Sequence, residues 1–230
     1  MQVMKTGIPT LIKSRRLFFK TLLTLISCSL LYMIFFGQQA LIHEHPFWLN
    51  IFFINYTFMG DAIFVICLAA IIIFYFKKRK EGMTILTAFV FTELLVQLIK
   101  NLLNISNSGL FFEDGQTLFH PGFINASTYY SFPSGHTAIA FSLITVLILI
   151  LKNKTWQLPL LAAAVLLAYS RIYLAQHFIQ DVLIGAVLGT SAGVMAVHIT
   201  YNWKSIAYKF RSMHKINHKD QLPSGTIQPV

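Results

Sequence analysis

The chain has 230 residues, of which 56% are hydrophobic and 11% charged, with a mean hydropathy of +0.64. A soluble domain carries about twice that charged fraction, so composition argues against a water-soluble globular protein, a disordered chain or a disulfide scaffold, and for an integral membrane protein. The net charge of +10 does not indicate a nucleic-acid partner, because the cations stand in short blocks between apolar runs and not on one solvated domain.

The sequence predicts six largely apolar helices, at 17–36, 58–76, 84–103, 134–151, 158–174 and 180–198. Runs of about 17–21 such residues can cross a bilayer core. The fourth and fifth carry polar residues and can span only if those face a protected interior. The expected fold is all-α: a polytopic bundle of six transmembrane helices over residues 1–203, then a basic tail over 204–230. Ser14-Arg15-Arg16-Leu17-Phe18-Phe19-Lys20 looks like a twin-arginine export signal. The long apolar run after it, with no small-residue cleavage site, makes it the start of an ordinary first helix. Cys28 and Cys67 lie inside apolar runs and supply no disulfide framework. His43-Glu44-His45 stands on a short connection without further ligands nearby, so it reads as an interfacial loop and not a zinc site. Asp61 reads as a helix-end residue. The stretch 203–219 mixes Ile206, Tyr208 and Phe210 with cations, as an interfacial segment near anionic headgroups would.

If the six helices alternate, all but two of the 18 Lys and Arg fall on one side of the membrane. The positive-inside rule makes that side cytoplasmic, with both termini in. The exceptions, Lys100 and Arg171, fall at outer helix ends. A charge near the hydrocarbon core costs about 2.5–3.5 kcal/mol on insertion scales, so two held there mark a site.

The connection 104–133 is the longest in the chain, well beyond the ~12–15 residues usual for a structureless loop. It ends in Phe132-Pro133-Ser134-Gly135-His136-Thr137, at the start of the fourth helix. Pro suits a first helical turn and Ser is a good N-cap. Gly lets a ligand approach the backbone, and the unpaired N–H groups of a first turn point at a bound oxyanion. His136 sits beside them as a possible proton donor. The stretch Ser170-Arg171-Ile172-Tyr173-Leu174-Ala175-Gln176-His177-Phe178-Ile179-Gln180-Asp181 bridges the fifth and sixth helices on the same side. Spacing i, i+4 lets Asp181 reach His177. A carboxylate on one ring nitrogen fixes the tautomer and makes the other a better nucleophile or base. Arg171 supplies a planar fork suited to phosphate.

Pro133 to His136, and Ser170-Arg171…His177…Asp181, resemble the second and third motifs of the type 2 phosphatidic acid phosphatase (PAP2) superfamily, in its bacterial membrane branch. The resemblance covers roughly 93–189, and Tyr173, Leu174, Gln176, Phe178 and the Gly185/Gly189 pair add to it. It implies that His177 attacks phosphorus and becomes a phosphohistidine, that Asp181 orients His177, and that His136 protonates the leaving oxygen. It also implies that Arg171, Ser134 and the backbone of Gly135 hold the phosphoryl oxygens, and that Lys100 is the lysine of the first motif. The implied substrate is a lipid phosphate or diphosphate at the outer, periplasmic face of the inner membrane, with no metal or other cofactor. Phosphatidic acid, phosphatidylglycerol phosphate, undecaprenyl diphosphate and a lipid A phosphate are all candidates, and the oligomeric state is open.

One motif departs from the family pattern. Seven and eight positions after its lysine the family has Arg-Pro, and here stand Asn107 and Ser108. Loss of one charge-assisted phosphoryl contact costs about 3–4 kcal/mol, by analogy with a lost oxyanion donor. No spare Lys or Arg is left on the outer face. His120, in the same loop, is a substitute when protonated, although a surface loop histidine is the commoner reading. Glu93, Gln97 and Lys100 share one face of the third helix, so Glu93 either orients Lys100 through Gln97 or faces the bundle interior. Two rival readings remain at this point. Asn107 and Ser108 motivate a lipid-phosphate-binding homologue with impaired catalysis. Buried polar residues motivate a transporter, which their clustering at one end disfavours.

Overall fold

The computed structural model describes residues 8–36, 46–103, 132–174 and 176–219, with backbone alone for residue 8 and for 203–219. Asn107, Ser108, His120 and His43-Glu44-His45 lie outside the described residues. Every regular element among the described residues is helical. In chain order they are α1 (Ile8–Ser14), α2 (Arg16–Phe36), α3 (Phe47–Thr57), α4 (Ala62–Phe74), α5 (Arg79–Leu103), α6 (Gly135–Ile150), α7 (Gln157–Tyr173) and α8 (Ile179–Lys219).

Each predicted run coincides with a helix, but not every helix meets the length of a span. Among the described residues, four stretches are long and apolar enough to cross a membrane: Arg16–Phe36, Arg79–Leu103, Lys154–Tyr173 and Ile179–Asn202. A fifth arises if α3 and α4 act as one broken span, bent by 58°. Helix α6 has 16 residues and so rises only about 24 Å, less than the ~30 Å hydrocarbon core. It compensates by lying inside protein. All its side chains from Thr137 to Val146 are buried, including Thr137, Ser142 and Thr145. Those hydroxyls are the polar residues that sequence reasoning required to be protected. By contrast α2 buries only Phe18 and Leu22 and exposes Leu23, Leu31, Ile34 and Phe35. A solvent-facing helix of that kind is an aggregation hazard, and a lipid-facing one is ordinary.

Helix α6 divides the core. Phe141, Ile144 and Ile148 pack with Phe18, Leu22, Leu161, Ala164 and Ala168 on the α2–α7 side. Ile139, Leu143, Val146 and Leu149 pack with Val65, Ala69, Ile85 and Ala88 on the α4–α5 side. Against its third face lies α8, through Gly185, Gly189 and Gly193. A Cβ at Gly185 would stand 2.6 Å from the Ser134 carbonyl oxygen, and one at Gly193 would stand 2.8 Å from that of Ser142. At Gly189 it would overlap the Ala138 carbonyl. Small residues every fourth position let two membrane helices touch backbone to backbone. Sequence reasoning noted the first two glycines only as part of a resemblance; their spacing with Gly193 is the packing signal.

Two features differ from expectation. Sequence reasoning began the second helix at residue 58 and left α3 out. The chain instead runs as helix from Phe47, bends through a 3₁₀ turn at Phe58–Gly60, and continues as α4. Gly60 permits the bend to rest on α6, since a Cβ there would stand 2.9 Å from the His136 carbonyl oxygen. The last helix also does not stop near residue 198, and its backbone stays helical to Lys219.

Candidate active site

Antiparallel neighbours bring the C-terminal ends of α5 and α7, the N-terminal ends of α6 and α8, and the α3–α4 bend to one end of the bundle. That end holds all seven residues singled out from sequence. Lys100 lies in the last turn of α5, Arg171 in the last turn of α7, and Asp181 in the first turn of α8. Ser134 and Gly135 open α6, with His136 one residue further.

The turn between α7 and α8 is locked by its own backbone. The Arg171 carbonyl accepts the N–H groups of both Gln176 (3.0 Å) and His177 (3.2 Å). Phe178 is the N-cap of α8 and Asp181 its third residue, so the carboxylate can reach back to the cap. The Phe178 N–H donates to Asp181 Oδ2 at 3.1 Å, one half of a capping box. The same Oδ2 stands 3.4 Å from His177 Nδ1, the pairing that the i, i+4 spacing predicts. Asp181 is 1% exposed, and its negative charge suits a helix N-terminus. With Nδ1 facing a carboxylate, the proton belongs on Nδ1 and the lone pair on Nε2. Burial pushes the His177 pKa below its ordinary value. The hydrogen bond to Asp181 opposes this, and Arg171 and Lys100 reinforce it. The lowered pKa favours the neutral form, the one in which an imidazole can act as a nucleophile.

The two motifs are joined through the main chain. The Ser134 N–H donates to the Asp181 carbonyl oxygen at 3.1 Å, at the level where Gly185 lets α8 close on the same residue. Ser134 occupies the N-cap position of α6, but its side chain caps no backbone N–H. Its hydroxyl is fully buried and shares a 3.0 Å hydrogen bond with Thr137 Oγ1. This differs from the expected Ser cap and leaves the first-turn N–H groups to other acceptors. Gly135 is open: a Cβ added there would meet only Val96 Cγ1, at 3.8 Å.

The fields of Arg171, His177 and Lys100 all reach His136, and Lys100 also feels Glu93 on its own helix. No hydrogen bond links Glu93, Gln97 and Lys100 among the described residues, so the relay through Gln97 gains no support. Arg171 is 8% exposed and donates from Nη1 to Thr57 Oγ1 at 2.8 Å. Its Nε is buried and has no hydrogen-bond partner among the described residues.

Sequence reasoning missed the contribution of α3 and the bend. Thr57 fixes Arg171, and Asn50 Oδ1 accepts the Tyr173 hydroxyl at 2.7 Å. Phe53 packs on Tyr173, ring centroids 4.3 Å apart. Asp61, read from sequence as a helix end, lies 3.9 Å from His136 Nε2 through Oδ1. A signal was present: Asn50 and Thr57 are seven residues apart in an apolar run, hence on one helix face, and both are buried.

Comparison with known proteins agrees with this geometry. The chain is 34% identical over 129 residues to lipid A 4'-phosphatase of Porphyromonas gingivalis, a match covering 53% of each protein. It is 31% identical over 165 residues to phosphatidylglycerophosphatase B of Bacillus subtilis, covering 66% of this chain and 75% of that one. The chain thus spans about half the length of the first relative and three quarters of the second. Its fold is similar to the crystal structure of the first transmembrane PAP2-type phosphatidylglycerolphosphate phosphatase from Bacillus subtilis. The TM-score is 0.55 at 27% identity, over 80% of this chain and 92% of that one. The PAP2 superfamily model matches residues 81–205. With more than half its length matched, the chain belongs to the PAP2 superfamily.

Proposed function

We propose that this chain is a membrane phosphatase that hydrolyses a lipid phosphate or diphosphate through a phosphohistidine. In the first step Nε2 of His177 attacks phosphorus and an N–P bond forms. The P–O bond to the lipid breaks, its electron pair stays on the leaving oxygen, and His136 supplies the proton. In the second step water attacks phosphorus, the N–P bond breaks with its pair returning to His177, and His136 takes the water proton back. Arg171, Lys100 and the first-turn N–H groups at Ser134 and Gly135 stabilise the phosphoryl oxygens. The observation that carries the reading is the buried His177–Asp181 pair, 3.4 Å apart, in the same turn as an arginine whose Nε lacks a partner among the described residues. A buried guanidinium with an unused donor calls for an acceptor, and phosphate matches its fork. Relatives named for lipid A and phosphatidylglycerophosphate supply the substrate class.

In this reading α6 is a crossing that lipid never touches, which brings the total to six. Both termini and the Lys77–Lys80 and Lys152–Lys154 connections lie in the cytoplasm, and the site faces the periplasm. The lipid tail stays in the bilayer while the headgroup meets the helix ends. Phosphate release by the detergent-purified chain tests the chemistry, with phosphatidic acid, phosphatidylglycerol phosphate, undecaprenyl diphosphate and lipid A as substrates. Turnover of at least one, lost in His177→Ala by on the order of 10⁴-fold or more, is the expected result. Binding without turnover would sink it. For the orientation, an impermeant thiol reagent should miss Lys152→Cys in intact cells and reach it after permeabilisation.

A further inference from the structure

None of the steps above uses Asp61. It stands at the N-cap of α4 with extended backbone, φ −89° and ψ 153°. Asp is favoured at N-caps because its carboxylate accepts a backbone N–H of the first turn, yet this one accepts none. Its Oδ1 lies instead 3.9 Å from His136 Nε2, and its field reaches Arg171. The approach is fixed sterically. A Cβ on the preceding Gly60 would stand 2.9 Å from the His136 carbonyl oxygen and 3.1 Å from the His136 Cβ.

The charges around His136 give this placement a consequence. The charges of Arg171 on α7, Lys100 on α5 and His177 in the α7–α8 turn all act on His136. Asp181 is engaged with His177, and Glu93 lies in the field of Lys100. An imidazole donates a proton readily only as the imidazolium, and burial, followed by the neighbouring cations, disfavours that form of His136. We propose that Asp61 is a positioning residue for proton donation that acts through His136, its carboxylate offsetting the neighbouring cations as the imidazolium forms. The proposal rests on the phosphatase reading above. A 3.9 Å separation exceeds hydrogen-bond length, so the carboxylate supports the charge while the Nε2 proton remains free to pass to the leaving oxygen. When water cleaves the N–P bond, the same carboxylate stabilises the imidazolium as it re-forms.

The test uses the purified full chain, Asp61→Asn and Asp61→Glu, on two substrates: a turned-over lipid phosphate monoester, and p-nitrophenyl phosphate, whose leaving group departs without a proton. Asp61→Asn should lower kcat on the lipid at neutral pH by about 10-fold, with KM changed little. The alkaline limb of the kcat profile should move to lower pH by about one unit. The p-nitrophenyl ester should be largely spared, and Asp61→Glu should recover most of the lipid rate. Equal losses on both substrates with an unmoved alkaline limb would make Asp61 merely structural and overturn the proposal, as would no loss at all. If Asp61→Asn does not fold, Asp61→Ser retains a good N-cap and carries the same expectations. A wild-type chain inactive on both substrates would instead overturn the phosphatase reading, and the role of Asp61 with it.

Discussion

Where α8 meets α6, glycines at every fourth position press backbone on backbone, whereas α3 and the start of α4, apart from the close approach at Gly60, reach the same site through single side-chain contacts. The first wall carries the expected nucleophile and the oxyanion-facing helix end, tied by the Ser134 N–H to the Asp181 carbonyl. Close backbone packing and that hydrogen bond together fix its geometry, and one added methyl group would disturb it. The second wall holds Arg171 by one hydroxyl and faces His136 with one carboxylate. The difference separates two tasks. In the proposed mechanism the stiff wall sets where phosphorus is attacked, and the polar wall sets how the surrounding charges are aimed and balanced.

Substitutions can break that contrast, and the glycine wall should fail hardest. Gly189→Val forces a side chain into the Ala138 carbonyl and should cost about 3 kcal/mol of stability, with activity lost alongside the fold; thermal unfolding in detergent would register it. A variant with native Tm and rate would mean that the helices are not in backbone contact. Next comes Arg171→Lys, which keeps the charge but loses the fork and the bond to Thr57. A fall in kcat/KM of about 100-fold is expected, with Tm little changed. Thr57→Val removes only the acceptor for Nη1 and should lower kcat/KM about 10-fold, while Thr57→Ser should restore it.

The smallest expected effect lies in the pH profile. In the proposed mechanism His177 attacks only when neutral, so the rate falls as pH drops through its pKa. Burial pushes that pKa down, so the acid limb should lie below the ordinary imidazole value of about 6.5. Asp181→Asn removes a contribution that raises it and should shift the limb lower still, on top of a reduced rate. A limb above about 6.5 would mean that the His177 acid form is stabilised and not penalised.

The two motifs on the glycine wall were legible in the sequence because their information is local, whereas the glycine packing itself entered only through a resemblance. Ser134 and Gly135 abut His136, and His177 and Asp181 are one helical turn apart, so spacing alone places their side chains. The six apolar runs were legible for the same reason. What makes α6 differ from a lipid-facing span was visible only in part, since Thr137, Ser142 and Thr145 require protection without saying which helices provide it. The polar wall was not legible. A bend of 58° between α3 and α4 leaves composition unchanged, and nothing local to Thr57 or Asp61 points across more than 70 residues to Arg171 or His136. Asp61 does end a helix, as its position suggests, but its carboxylate serves another residue.

The central claim is that His177 carries the phosphoryl group. Rapid quenching of the purified chain during turnover of a ³²P-labelled lipid phosphate tests it most directly. Label should appear on the protein within the first turnover, be acid-labile and base-stable as an N–P bond is, map to His177, and vanish in His177→Ala. Label on another residue, or full turnover by His177→Ala, would contradict the mechanism.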